Sequence, residues 1–356
     1  MREEWLYRIA LTWGNKTRPR LVRTLLDRYG SATEVMKHHG DMITNAAIQH
    51  ARQELEFIDK HHISTYFYKD DNYPYRLASC VDAPLVLYSK GNVNMNAKHM
   101  VSVVGTRHPS ERGKDWCRRL VLDLANQLPD LTIVSGLAYG IDVVAHRAAI
   151  EAGIPTIIVP AHGLDRIYPA VHRNVAVKAL EQGGIVTEYT CGTEPERFNF
   201  VARNRIVAGL ADALVVVESK QKGGSLITAD MAIDYGREVF ALPGRIDDEC
   251  STGCNNLIKH HKAQMIESAA DLIACMQWQG KTNHDTQTRM PSLLTDLSVQ
   301  QERLYQILQE AEDGIHINQL VIETQLAYNI VASELVMMEL QDLVKSMPGG
   351  MWRVKK

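Results

Sequence analysis

Residues 133–142 read I-V-S-G-L-A-Y-G-I-D, and this stretch decides the fold. The run 131–134 is short, apolar and partly β-branched, which is typical of a buried parallel strand. Gly136 and Gly140 predict a tight turn and a close approach of the backbone to a neighbour, and Asp142 is placed to cap the helix that follows. A strand, a glycine-bearing loop and a helix N-terminus together expose free N–H groups and a positive dipole end, so this loop suits a phosphate group.

The same order of strand and polar loop recurs between residues 101 and 266. Apolar runs lie at 100–104, 156–159, 185–187, 213–217 and 238–241. Strands that alternate with helical patterns predict an α/β fold with an extended, doubly wound Rossmann-like sheet. The ligand of such a sheet binds at the carboxyl ends of its strands. The strand ends collect Gly105, Arg107, Ser135, Gly136, Gly140, Gly224, Ser225 and Thr228 as predicted binding residues. The other predicted binding residues are Thr106, Arg166, Tyr168, Asn204 and Arg205.

Arg107 follows the first strand of the predicted sheet. A guanidinium there can fork onto a phosphate while loop amides hold the other oxygens; alternatively, it pairs with a carboxylate at the surface. Arg166 can also reach a phosphate, and Tyr168 can stack on a base. Of the arginines in R-N-R at 203–205, we expect one to face the loops and the other to brace the fold.

Residues 223–228, G-G-S-L-I-T, place small residues and two hydroxyls at a helix start. This is a phosphate-loop shape without the lysine of a Walker A sequence. The first strand lacks G-x-G-x-x-G, since the next glycine after Gly105 is Gly113. The sequence therefore predicts no bound ATP, NAD or other cofactor.

Catalytic and metal-binding patterns are weak. Asp142 and His146 are spaced i, i+4 and can form an acid–base pair, although capping and local hydrogen bonds explain them more simply. Cys250 and Cys254 form a CxxxC pair with two histidines behind it, but no second pair completes a zinc site. We therefore expect neither catalysis nor a metal.

The composition is that of an ordinary folded protein with two or three domains in 356 residues. No apolar run approaches a membrane span, and the N-terminus lacks a signal peptide, so a cytoplasmic protein without membrane contact is expected. Six scattered cysteines suggest reduced thiols. Since the net charge is −3, any nucleic-acid binding must come from a local patch.

Four regions are predicted along the chain. Residues 1–65 are helical in pattern and locally basic, either as a small DNA-binding module or as a solvated face. Residues 66–275 form the Rossmann-like domain, with 66–97 as a connecting segment, and 276–295 form a polar linker. Residues 296–356 read as three helices and a short hairpin, a winged-helix pattern. This last region holds five Lys or Arg and nine Asp or Glu, a net charge of −4, which favours protein contact over DNA contact.

Eight motifs resemble the DNA-processing protein A (DprA, also called Smf) family and follow its order. They are V-V-G-T-R (103–107), S-G-L-A-Y-G-I-D (135–142), A-H-R (145–147), G-L-D-R-I-Y-P (163–169), R-N-R-I-V-A-G (203–209), G-G-S-L-I-T-A (223–229), G-R-E-V-F-A-L-P-G (236–244) and G-C-N-N-L-I (253–258). Two positions depart from the family pattern: Tyr139 stands where an arginine is usual, and Ala161-His162-Gly163 replaces a G-T-G-type loop.

The resemblance implies a helical, SAM-like N-terminal domain, a Rossmann-like domain that binds single-stranded DNA, and a C-terminal winged helix. It also implies a homodimer that protects incoming single strands during natural transformation and loads the RecA recombinase on them, without catalysis. By motif position, Gly105 and Arg107 match the strand-binding loop of the family. The residues alone leave a second hypothesis open, a nucleotide or nucleoside-phosphate hydrolase on the same kind of sheet.

Overall fold

The computed structural model describes residues 2–14, 18–278, 297–311, 314–341 and 343–355. In its N-terminal part, residues 2–14 and 18–61 form four α-helices. These are α1 (Arg2–Gly14), α2 (Pro19–Tyr29), α3 (Ala32–His39) and α4 (Asn45–His61). Ser31 and Thr44 cap α3 and α4 by accepting the N–H of Glu34 and Ala47. Helix α2 buries Val22, Leu25 and Leu26, whereas Leu21 is exposed.

Within residues 18–278, nine strands form one sheet in the order β1-β2-β6-β5-β4-β3-β7-β8-β9. The strands are β1 (Ser64–Phe67), β2 (Val86–Gly91), β3 (His99–Val104), β4 (Leu131–Ser135), β5 (Thr156–Ile158), β6 (Gly184–Thr187), β7 (Ala213–Val216), β8 (Glu238–Ala241) and β9 (Gln264–Met265). Strands β3 to β9 run parallel, and β1 and β2 extend the sheet antiparallel beyond β6. The chain fills one side of β3 with β4 to β6 and then returns to its other side with β7, so the switch in strand order lies between β3 and β7.

Helices cover both faces of the sheet, which confirms the doubly wound α/β prediction. They are α5 (Tyr75–Ala78), α6 (Glu111–Gln127), α7 (Ile141–Glu151), α8 (Arg173–Gln182), α9 (Arg197–Leu210), α10 (Gly224–Asp234), α11 (Thr252–Lys259) and α12 (Ala269–Cys275). On one face, α9, α10 and α11 contribute to a core through residues such as Ile206, Ala229 and Leu257. On the other face, α6, α7 and α12 pack over the sheet through their own apolar side chains. The alternating apolar runs of the sequence are buried between these layers.

Two short strands and part of the predicted linker differ from the sequence-based expectation. Strand β1 begins with three exposed or partly exposed residues and buries only Phe67, and both residues of β9 are exposed, so neither strand shows an apolar run. Met276 and Trp278 were expected in the linker, but they are buried in the core beside α12 because both side chains are large and apolar. The rest of the predicted linker, 279–295, lies outside the described residues.

The described residues between 297 and 355 form a winged helix. Its elements are α13 (Val299–Glu310), α14 (Ile317–Thr324), α15 (Tyr328–Leu340), β10 (Ile315–His316), β11 (Val344–Met347) and β12 (Met351–Val354). The three helices and three strands enclose a core around Leu304, Leu320 and Leu335. Among the described residues, no single helix is long and apolar enough to cross a membrane. Helices α14 and α15 reach that length and apolar composition only when they are taken together, and the chain bends by 114° between them.

The winged helix packs against the amino ends of the central strands. The rings of Tyr75 and His316 lie 5.2 Å apart, and the Asn318 side chain donates to the Tyr75 carbonyl at 3.4 Å. Gly349, at the tip of the wing, lies close to Met276 and to Asp212, the residue directly before β7. Because Asp212 directly precedes β7, this contact lies at the amino edge of the sheet. The loops that follow the carboxyl ends of the strands lie at the opposite edge.

Candidate nucleic-acid interface

The loop after β3 is fixed where the strand order switches. The Thr106 N–H donates to the carbonyl of Glu218, which follows β7, at 2.7 Å. The buried carboxylate of Glu218 in turn accepts the backbone N–H of Ser110 at 2.8 Å. These bonds join the loops after β3 and β7, so the backbone around Arg107 is held at the crevice in which doubly wound sheets bind ligands.

Glycines bring the loop after β4 against the loop after β3. Gly140 has φ = +81°, and a Cβ there would lie 2.8 Å from Arg107 Cα. The N–H of Ile141 donates to the Thr106 carbonyl at 3.3 Å. Only glycine permits this backbone angle together with such a close approach. The close backbone approach predicted at Gly140 is present, and it places the first residues of α7 directly beside Arg107.

Gly136 lies between two buried charged groups. A Cβ at this position would meet the Asp142 carboxylate and lie 2.7 Å from both terminal nitrogens of Arg203. Burial raises the pKa of Asp142, and the neighbouring Arg203 guanidinium opposes this shift. Burial likewise lowers the pKa of Arg203, which Asp142 opposes. The two groups therefore stabilise each other's charge beneath the loops, and Arg203 also donates to the Val159 carbonyl.

Asp142 does not cap α7, contrary to the expectation. The N-cap residue is Gly140, and Asp142 is the second residue of the helix. Its carboxylate instead turns back and accepts the N–H of Ala138 at 3.2 Å. Position 140 must be glycine because its backbone approaches Arg107, so it has no side chain that could cap the helix. Asp142, two positions later, holds the loop instead.

The hypothesis of an Asp142–His146 acid–base pair is wrong. His146 is fully buried, its Nε2 donates to the Gly136 carbonyl at 2.5 Å, and its Nδ1 lies 2.7 Å from the Thr156 hydroxyl. Burial lowers the pKa of His146 to about 4, so the imidazole is neutral near pH 7. Both ring nitrogens are engaged in joining β4, β5 and α7, which makes His146 a structural residue.

An arginine and three aromatic rings form a surface above this buried layer. The Arg107 guanidinium lies 5.3 Å from the ring centroid of Phe200, and the rings of Phe200 and Tyr168 lie 6.1 Å apart. Tyr139 is 50% exposed and contacts the buried ring of His172 at 5.0 Å. We call Arg107, Tyr139, Tyr168 and Phe200 the aromatic–arginine surface. A guanidinium between aromatic faces can hold a phosphate while the rings stack on bases.

Phe200 was not predicted as a site residue. It precedes R-N-R by three positions, and Phe198 beside it is 78% exposed. Two aromatic residues close together at the start of a helix that is otherwise polar in its first turn are the sequence signal that could have found it. Exposed apolar side chains that lie together in a patch, rather than singly, mark an interaction site.

Arg203, rather than Arg205, faces the loops. Arg205 is two positions further along α9, so it points to the opposite side, where it pairs with Glu188 and donates to the Asp82 carbonyl. Asn204 lies between them and accepts from the Arg203 Nε at 3.3 Å. One arginine therefore faces the loops and the other braces the fold, as expected. Arg205, which was predicted as a site residue, is the bracing one, and Arg203 lies buried beneath the loops.

Three predicted hydroxyl residues are buried and their hydroxyls bond within the protein. Ser135 donates to the Val103 carbonyl at 2.6 Å, Ser225 to the Ser219 hydroxyl at 2.9 Å, and Thr228 to the Gly224 carbonyl at 3.3 Å. Gly224 itself lies exposed at the start of α10, with open space where a Cβ would stand. These loops can therefore offer backbone N–H groups, whereas their hydroxyl groups maintain the loop shapes.

The CxxxC pair does not form a metal centre in the structure. Cys254 is buried, its Sγ lies 3.5 Å from the Val216 carbonyl, and burial raises its pKa to about 12. Among the described residues, no three His, Cys, Asp or Glu side chains come together as metal ligands would. All six cysteines are unpaired.

Together, the doubly wound sheet, the glycine loops at its carboxyl edge and the winged helix define a Rossmann-like protein with the aromatic–arginine surface near its switch point. Residues 64–277 match the family model described as DNA recombination-mediator protein A, and residues 288–350 match the DprA winged helix domain. The chain belongs to the DNA recombination-mediator protein A family.

Similar proteins agree with this assignment. DNA processing protein DprA of Streptococcus pneumoniae is 41% identical over 224 residues, which are 61% of this chain and 78% of that protein. The X-ray structure of DprA from S. pneumoniae is similar with a TM-score of 0.58 and 37% identity, covering 65% of this chain and 82% of that one. A structure that concerns the single-stranded DNA binding mode of DNA processing protein A from Helicobacter pylori has a TM-score of 0.54 and 30% identity, covering 60% of this chain and 94% of that one.

Proposed function

We propose that this protein is a single-stranded DNA-binding recombination mediator, and that the aromatic–arginine surface is where it holds the strand. The observation that carries the proposal is the position of the exposed Arg107 guanidinium, 5.3 Å from the Phe200 ring and above loops rich in backbone N–H groups. A single strand presents a phosphate and unstacked bases side by side, whereas a duplex hides the base faces. The H. pylori relative, whose structure concerns single-stranded DNA binding, supports the same ligand.

The strand is expected to contact the protein mainly through its backbone. The proposed phosphate contacts are Arg107 and N–H groups of the loops at 105–107, 136–140 and 223–225. The N–H groups of Thr106 and Ala138 are excepted, because they already donate to Glu218 and Asp142. Tyr139, Tyr168 and Phe200 supply ring faces, which are tolerant of sequence because every base has a π-face. Little sequence selectivity follows, since few side chains are placed to read base edges.

A titration with a fluorescent oligothymidylate tests the proposal. Arg107→Ala should weaken binding about tenfold to a hundredfold, because a charge-assisted contact is worth roughly 1.5–3 kcal/mol. Phe200→Leu should weaken it through the loss of stacking, worth roughly 1–3 kcal/mol per base, while Phe200→Tyr should retain most of the affinity.

Arg118→Ala is the matched control, because Arg118 is an exposed arginine on α6 that pairs with Glu151 outside the surface. An equal loss in Arg118→Ala and Arg107→Ala, or equal affinity of the wild type for duplex and single strand at moderate salt, would contradict the proposal. Incubation with nucleotides tests the hydrolase hypothesis directly, since a hydrolase would release base or phosphate.

We further propose that the protein acts as a homodimer in natural transformation, where it protects the incoming strand and transfers it to RecA. Membership of the recombination-mediator family supports this role. Strands already coated with single-strand-binding protein provide the test. The wild type should accelerate RecA filament formation on them, and Arg107→Ala should not. If the wild type does not accelerate filament formation, the mediator role is contradicted, whereas the proposal of strand binding is unaffected.

A further inference from the structure

Arg166, beside the aromatic–arginine surface, is held by two carboxylates on different edges of its guanidinium. Its Nε and Nη2 each donate to the Asp165 carboxylate at 3.0 Å. Its Nη1 donates to the Glu194 carboxylate at 2.5 Å. Arg166 is two residues from Tyr168, so this cluster lies at the border of the proposed strand site. The three groups together carry a net charge of −1, which opposes a phosphate.

The two carboxylates are not equivalent. Asp165 is the more buried of the two, and its second oxygen accepts the N–H of Gly192 at 3.1 Å. The Glu194 side chain is 68% exposed, and among the described residues its carboxylate contacts Arg166 alone. Asp165 therefore fixes the orientation of the guanidinium, whereas Glu194 can move away at little cost.

The backbone that carries Glu194 is anchored from the N-terminal helices. The buried carboxylate of Glu54, on α4, accepts the N–H of Cys191 at 2.9 Å, and His50 lies 2.9 Å from the Thr190 hydroxyl. The Glu194 carbonyl also accepts from the Asn199 side chain at 2.9 Å. These bonds keep the Glu194 side chain within reach of Arg166, although the side chain itself is solvated.

We propose that Glu194 is an affinity-determining residue: it occupies Nη1 of Arg166, the donor that a phosphate of the bound strand takes over. This inference rests on the proposed single-strand binding. Asp165 keeps Nη1 pointed outward in the free and bound states, because it holds the Nε and Nη2 edge of the planar guanidinium. Each strand that binds must displace Glu194 from Arg166, so the glutamate weakens binding. Removing the Glu194 carboxylate should therefore raise the affinity for the strand.

The experiment compares Glu194→Ala with Glu196→Ala in the full chain, using the oligothymidylate titration. Glu196 is an exposed glutamate two positions along the same loop, and it forms no cap with its side chain. Both substitutions remove one negative charge from the same neighbourhood, so general electrostatic attraction changes alike. Glu194→Ala should bind about two- to fivefold more tightly than Glu196→Ala, the range expected for an exposed ion pair.

The same two substitutions in an Arg166→Ala background complete the test. If Glu194 acts by occupying Arg166, Glu194→Ala and Glu196→Ala should bind the strand with equal affinity in this background. Equal affinities of the two variants in the wild-type background, or an advantage that persists without Arg166, would overturn the inference. The wild type and Arg107→Ala, titrated alongside, report on strand binding itself, so a failure of the proposed function is recognised separately. Melting temperatures close to that of the wild type exclude loss of the loop as the cause.

Discussion

Gly136 has no room for a side chain because Asp142 and Arg203 approach it from two sides. Gly136→Ala should destabilise the protein by about 1–3 kcal/mol, the usual cost of overpacking a close-packed interior. It should also weaken strand binding, since the loops above the buried pair must shift. Gly224→Ala is the control, because a Cβ there meets open space. Urea unfolding measures the difference, and equal stability of the two variants would contradict this account.

The buried carboxyl group of Glu54 is expected to make the stability of the protein depend on pH. Burial raises its pKa from 4.5 to about 7, and the nearby Asp165 carboxylate adds to the rise, while the Cys191 N–H opposes it. Because the folded-state pKa is the higher one, the folded chain holds a proton that the unfolded chain has lost between about pH 4.5 and pH 7. The contribution of Glu54 to stability therefore falls as the pH rises through this window.

Glu54→Gln should remove that dependence. The amide oxygen can still accept the Cys191 N–H, and it cannot ionise. At pH 8 the variant should be more stable than the wild type by about 2–3 kcal/mol, and near pH 4.5 the two should agree. Glu56→Gln, an exposed change on the same helix, should follow the wild type at every pH. Unfolding curves at several pH values check this, and parallel curves for Glu54→Gln and the wild type would contradict it.

At the scale of elements, one buried ion pair attaches α5 to the sheet. The Arg76 Nε donates to the Asp212 carboxylate at 2.5 Å, and both side chains are fully or almost fully buried. The second Asp212 oxygen accepts the N–H of Met100 at 2.9 Å, and Arg76 also donates to the Lys98 carbonyl at 3.1 Å. The pair thus joins α5, β3 and the start of β7 beneath the winged helix.

Removing one partner of this pair should be costly. Asp212→Ala leaves the Arg76 charge buried without its carboxylate, and we expect a loss of about 3–5 kcal/mol in the free energy of unfolding. Asp247→Ala is the control, because Asp247 pairs with Arg245 at the surface, where such pairs contribute about 0–1 kcal/mol. A similar small loss in both variants would mean that Arg76 finds another partner or solvent.

At the scale of the whole molecule, the winged helix and the proposed strand site lie at opposite edges of the sheet. The winged helix packs near Asp212 and Tyr75, at the amino ends of the strands, whereas Arg107 follows the carboxyl end of β3. Strand β3 has six residues and separates the two edges by roughly 20 Å. This exceeds the Debye length of about 10 Å at moderate salt, so the acidic winged helix should neither hold nor repel the strand strongly.

A chain that ends at Trp278 should therefore bind single-stranded DNA within about threefold of the full chain. The end point follows from the burial of Met276 and Trp278, which a cut at Cys275 would remove from the core. The oligothymidylate titration of both chains is the measurement, with thermal unfolding to show that the shorter chain is folded. A loss of about tenfold or more, roughly 1.4 kcal/mol, would show that the winged helix contacts the strand, despite its charge and position.

The sequence alone determined the order of the buried strands from β3 to β8 and the position of the loops that follow them. The apolar runs at 100–104, 131–134 and 213–217 correspond to β3, β4 and β7, because a strand buried on both faces needs continuous apolar residues. The glycines at 136 and 140 were recognisable for a similar reason: each marks a point where the backbone has no space for a side chain. These signals are local, so they can be read without knowing what lies opposite.

Only the tertiary structure decided which side chains meet. The apolar side chains of α9 lie on several of its faces, so their periodicity does not show which face packs on the sheet. The sequence therefore could not tell whether Arg203 or Arg205 faces the loops. The partners of Asp142 and His146 come from a neighbouring loop, from α9 and from β5, and Phe200 becomes part of the surface only when α9 is placed beside Arg107. Contacts of this kind depend on how helices and loops are rotated and packed against one another, and residue spacing along the chain does not specify that geometry.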